Sequence, residues 1–148
     1  MYRLSIVLFT VVIIFIVFPG TTKAQERPYT EGSVWNISYI QTKDAYFLDY
    51  MNNLNNGWKR VMEDAKKEGY ILNYMVLSSQ PSNRDDWDLM LLVEYKNWAA
   101  FDGLMEKMNK VQEKLFGSNE NERKESAVAR NELREILGSK TALQLNFK

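Results

Sequence analysis

The chain has 148 residues, 19 acidic and 19 basic side chains, and neither histidine nor cysteine. Those two absences exclude His-dependent triads, cysteine nucleophiles, disulfides, His-ligated haem and zinc sites of ordinary composition. Nothing resembles the clustered basic excess of a nucleic-acid binder, so no nucleic-acid partner is expected.

Arg3 precedes an apolar block from Leu4 to Phe18, which is followed by Pro19-Gly20 and "TTKA". A basic start, a short apolar core, a helix breaker and the small residues Thr22 and Ala24 predict a signal peptide over residues 1–24, cut after Ala24. The block also falls short of the ~20 apolar residues that span a bilayer. The expected location is periplasmic or extracellular, with no membrane partner after cleavage. An uncleaved N-terminal anchor is the alternative, which Lys23 and the strongly apolar core support. Cleavage removes Arg3 and Lys23 and no acid, leaving a slightly acidic chain of single-domain size.

Residues 25–32, "QERPYTEG", are polar and without period and read as a flexible leader before one domain over 33–148. "SVWNISYIQ" alternates, with Trp35, Ile37 and Tyr39 on one side and Asn36 and Ser38 on the other: a first strand. From Asp44 the period changes. Phe47, Met51, Leu54, Trp58, Val61 and Ala65 form one helical stripe, with Asp44 as N-cap and Gly69 as terminator. Gly57 inside this helix costs about 1 kcal/mol relative to alanine and marks a close approach or a local irregularity. "YILNYMVLSSQ" is a second strand, "PSNRDD" a turn, and "WDLMLLVEY" a third strand that sorts Leu89, Leu91 and Val93 from Asp88, Met90, Leu92 and Glu94. Asn97 caps a second helix with the stripe Trp98, Phe101, Met105, Met108, Val111 and Leu115. A charged loop leads to an extra helix around 121–137 with a narrow apolar face, ended by Gly138, and "KTALQLNF" is the last strand.

The order β-α-β-β-α-(α)-β is the split βαβ pattern of an α+β, ferredoxin-like fold, an antiparallel sheet with helices on one face. This order, together with "WDLMLLVEYKNWAAFDG", a strand ending in Glu-Tyr and running into an aromatic-led helix, resembles the dimeric α/β-barrel superfamily. That group includes the antibiotic-biosynthesis monooxygenase-like and stress-responsive barrel domains. The resemblance implies a homodimer whose open sheet faces pair into a barrel, with a small apolar or aromatic ligand inside. Haem-degrading members use a histidine on the second helix. This chain has none, so haem degradation is not carried over and no cofactor is expected.

If Ile37, Leu89, Leu91, Val93, Leu143 and Leu145 lie under the helices, the open face bears Asn36, Ser38, Asp88, Met90, Leu92, Glu94, Gln144 and Asn146. That mixture suits either a ligand cavity or a wet dimer interface. Candidate ligand contacts are Asn36, Ser38, Arg84, Asp88, Met90, Leu92, Gln144 and Asn146. Asp88 or Glu94 at the rim of an apolar cavity would be the general base of a cofactor-independent monooxygenase or isomerase. Asn36 or Tyr39 would steady the resulting oxyanion. The alternation of Tyr39 and Trp35 with Ile37 assigns both to the core instead. A purely structural dimer with a filled barrel is the other alternative. Asp86-x-Asp88 lacks the further oxygen ligands of a calcium loop, so no metal is expected. Asp85 and Asp86 read as turn residues.

Overall fold

A computed structural model of the chain describes residues 26–148, so the expected signal peptide lies outside the described residues. Four strands, β1 (Tyr29–Thr42), β2 (Asn73–Ser78), β3 (Leu89–Tyr95) and β4 (Arg134–Phe147), form one sheet in the order β2-β3-β1-β4. Every neighbouring pair is antiparallel. Strands β1 and β2 are therefore parallel with β3 inserted between them, the topology of the split βαβ motif.

Strand β1 starts earlier than alternation alone predicts. Tyr29, Thr30 and Glu31 pair with Phe147, Asn146 and Leu145, so the second half of the expected flexible leader is sheet. Polar residues with no period can still be strand when a long partner supplies the hydrogen bonds.

The first helical segment runs as α1 (Phe47–Asn53), a π-helical turn (Leu54–Trp58) and α2 (Lys59–Lys67). Asp44 is not its N-cap. Asp44 lies in the preceding turn, where Ala45 has a φ of +68°, and the helix is entered from Tyr46 without a side-chain cap. The irregularity expected at Gly57 is the π turn itself. Space around the Gly57 Cα is open, so the glycine does not mark a close approach. The wider turn takes up more residues than a regular one and so shifts the phase of the stripe; beyond it, adjacent Val61 and Met62 are both buried. Gly69, with a φ of +74°, follows the end of the helix as expected.

The second helix differs more. Trp98–Phe101 form a short 3₁₀ turn, Gly103 takes a φ of +65°, and α3 occupies Leu104–Phe116. Asn97 makes no side-chain capping bond. The break at Asp102-Gly103 interrupts the single stripe read from spacing: Val111 is 3% exposed, but Trp98 and Met105 are 54% and 79% exposed. Helix α4 (Glu120–Leu133) is capped by Asn119, whose side chain accepts hydrogen bonds from the amides of Asn121 and Glu122. It ends before Gly138, because Arg134, Glu135 and Ile136 pair with Thr42, Gln41 and Ile40 as the start of β4.

The core lies between helices and sheet in two adjoining parts. Val61, Met62, Ala65, Ile71, Val93, Tyr95 and Val111 form one, and Ile40, Tyr50, Leu54, Leu89 and Leu91 the other. Strand β3 alternates as read, with Leu89, Leu91, Val93 and Tyr95 buried. Each such side chain contributes about 1.5–3 kcal/mol on burial.

Candidate functional site: the uncovered sheet face

Which row of β1 the helices cover is decided by register, since directly paired residues point to the same side. Val34, Asn36, Ser38 and Ile40 pair with Tyr95, Val93, Leu91 and Leu89, the buried row of β3. Asn36 and Ser38 therefore lie on the helix side, not on the open face where they were expected. Trp35, Ile37 and Tyr39 pair with Glu94, Leu92 and Met90 and stand on the open face, not in the helix-covered core. Both corrections have one cause: the helix-side row is apolar at its ends, Val34 and Ile40, and polar only in the middle, so alternation favoured the wrong row. On β4, Leu143 faces Val34 on the helix side as expected, with Ala142 beside Trp35 on the open side.

The open face is consequently more apolar than the sequence suggested. Trp35, Ile37 and Tyr39 form its central row, with Met90 and Leu92 beside them on β3. Beyond these, Met75 and Leu77 of β2 pair with Leu92 and Met90 and extend the patch towards the edge. Leu77 is 46% exposed, although it stands within an ordered strand.

Polar groups border this patch. Gln144 Oε1 accepts from Trp35 Nε1 at 3.3 Å and from Ser33 Oγ at 3.1 Å, while Gln144 Nε2 donates to Asn146 Oδ1 at 3.0 Å. Lys140 Nζ lies 5.9 Å from the Tyr39 ring centre, within cation–π range. Trp87 stands on the other side of Tyr39, with ring centres 6.0 Å apart. Gln144, Asn146, Met90, Leu92, Glu94 and Tyr39 thus share one face. Ser38 instead exchanges a hydrogen bond with Ser139, Oγ to Oγ at 3.1 Å, on the opposite side.

Asp88 and Arg84 lie apart from that patch, in an open depression of about 990 Å³ at the strand ends that also includes Gln41, Lys43 and Glu135. Asp88 Oδ1 accepts from the Thr42 amide at 3.0 Å and Oδ2 from the Thr42 hydroxyl. Both oxygens are thus engaged in joining β1 to β3. Of the two carboxylates considered as bases, Glu94 is the one on the open face with no side-chain hydrogen bond among the described residues. Arg84 contributes its backbone carbonyl, which accepts from Gln41 Nε2. Asp86 closes the turn, accepting from the amides of Ser82 and Trp87 at 2.9 Å each. Those bonds, Ser82 foremost, hold its carboxyl below the usual carboxylate range.

Sheet order, register and one-sided helices define a ferredoxin-like α+β domain. No family model matches the sequence, and no curated protein matches it. Among solved structures the chain is similar to HapK from Hahella chejuensis, with 16% identity and a TM-score of 0.49, over 75% of this chain and 91% of that one. It is also similar to a dimeric ferredoxin-like protein from an uncultured marine organism, with 9% identity and a TM-score of 0.49, over 80% of this chain and 90% of that one.

Proposed function

We propose that this protein is an exported homodimer that assembles through the uncovered sheet face and holds a small apolar or aromatic molecule between the two sheets. The observation that carries the assembly is the row Trp35, Ile37 and Tyr39, flanked by Met90 and Leu92, on a face that no helix among the described residues covers. Pairing two such faces about 10 Å apart would remove the apolar row from water. Gln144, Asn146 and Glu94 would then border the space between the sheets. Export is supported by the charge and hydropathy pattern of residues 1–24.

The bulk of Trp35, Ile37 and Tyr39 favours a second reading of the interior, in which the two sheets' side chains fill it and no ligand enters. Sedimentation at micromolar concentration tests assembly: the native chain should be a dimer and Ile37→Lys a monomer. A native monomer at that concentration would remove the proposal. Mass spectrometry of the dimer, intact and then denatured, separates the two interiors, because only a cavity releases a small molecule on unfolding.

A further inference from the structure

Helix α4 is an addition to the βαββαβ plan, and it contributes no buried residue to the core. What it does contribute is one wall of a cleft of about 580 Å³, whose other walls are the π turn with the start of α2, and α3. The volume lies within the range of small-molecule sites. Trp58, Met62, Met108 and Phe116 supply an apolar lining, while α4 brings Arg123 and Arg130 on one of its faces. The two arginines differ in their partners. Arg123 has Glu113 at 3.8 Å. Arg130 is half-buried and has no ion-pair or hydrogen-bond partner among the described residues. Glu122 also lines the cleft, but its Oε1 accepts from Asn119 Nδ2 at 2.8 Å in the cap of α4.

The π turn shapes the opposite wall. It swings Trp58 to the cleft, where the ring is fixed edge-on against Tyr74 with centres 5.3 Å apart, and it places Gly57 on the lining with no side chain to narrow the space. Turns of this type recur at functional sites because they re-aim side chains at the cost of regular hydrogen bonding. An aromatic and thioether lining beside an unpaired guanidinium is complementary to an apolar body that carries one negative group.

We propose that the cleft between the π turn, α3 and α4 binds an amphipathic organic anion, with its carboxylate or sulfonate on Arg130 and its apolar body against Trp58, Met62 and Phe116. None of the lining residues belongs to the sheet, so the site does not depend on how two sheets meet.

The test uses two fluorescent probes of similar shape, anionic 1-anilinonaphthalene-8-sulfonate and neutral N-phenyl-1-naphthylamine, titrated into the full domain. Arg130→Gln should weaken the anionic probe at least tenfold and leave the neutral probe within twofold, and Arg130→Lys should restore most of the loss. Ser126→Trp, at an exposed lining position that can change without cost to the core, should abolish both. Failure of the native protein to bind the anionic probe, equal binding by Arg130→Gln, or both probes retained in Ser126→Trp would each overturn the proposal. Probe bound instead on the open sheet face would survive Ser126→Trp and be lost in Ile37→Lys.

Discussion

Asp88 and Thr42 are joined twice: one carboxylate oxygen accepts the Thr42 amide at 3.0 Å and the other its hydroxyl. The bond ties the last residue of β1 to the residue that precedes β3, next to the backbone bond from the Asp88 amide to the Ile40 carbonyl at 3.0 Å. An aspartate that looks from its neighbours like an inward-facing acid is thus an anchor for two central strands.

Replacing Asp88 with alanine should therefore act on stability. It leaves a part-buried amide and hydroxyl unpaired, at a cost of about 1–3 kcal/mol, and Asp88→Asn, which keeps one acceptor oxygen, should lose less. Asp85→Asn on the exposed turn should stay within about 0.5 kcal/mol. Urea unfolding of the three variants checks the order, and equal midpoints for Asp88→Ala and Asp85→Asn would contradict it.

Asp86 provides a test at the acid end. Its carboxyl is held below the ordinary range by the Ser82 and Trp87 amides, so its contribution is present above the unfolded pKa near 3.9 and is lost as pH falls through the lower folded value. Asp86→Ala should be less stable than the native chain at pH 6, and the gap should narrow as the pH falls below the ordinary carboxylate range. A gap that is constant with pH would show that the carboxylate's charge has no part in holding the turn.

Tyr95 provides one at the alkaline end. Burial pushes its phenol above the ordinary value near 10, so the neutral form contributes fully below pH 10 and the contribution is lost as pH rises through the folded value. Tyr95→Phe keeps the ring against Phe101, at 4.6 Å between centres, and should match the native chain at pH 7 while losing less stability at pH 11. Equal losses of stability by Tyr95→Phe and the native chain between pH 7 and pH 11 would contradict this.

Export has a direct measurement. N-terminal sequencing of protein recovered from its native compartment should begin at Gln25 or within a few residues of it. Recovery of Met1 in a membrane fraction would show an uncleaved anchor instead. Among the described residues no helix is long and apolar enough to cross a membrane.

Legible in the sequence were the order of elements, the buried row of β3 and the end of the first helix at Gly69, whereas Gly57 left both a close approach and a local irregularity open. Each is a local matter: an alternation, a stripe, or a residue whose backbone freedom is diagnostic. Three features needed the tertiary structure. The face of β1 was open to misreading because alternation says which residues share a side and not which side the helices cover; pairing with Leu89, Leu91 and Val93 settles it. The strand character of Tyr29–Glu31 comes from pairing with Phe147, Asn146 and Leu145, and that of Arg134–Ile136 from pairing with Thr42, Gln41 and Ile40, partners far away in sequence. The helix-side cleft brings Trp58, Phe116 and Arg130 together from three separate segments, and no spacing within any one of them records that meeting.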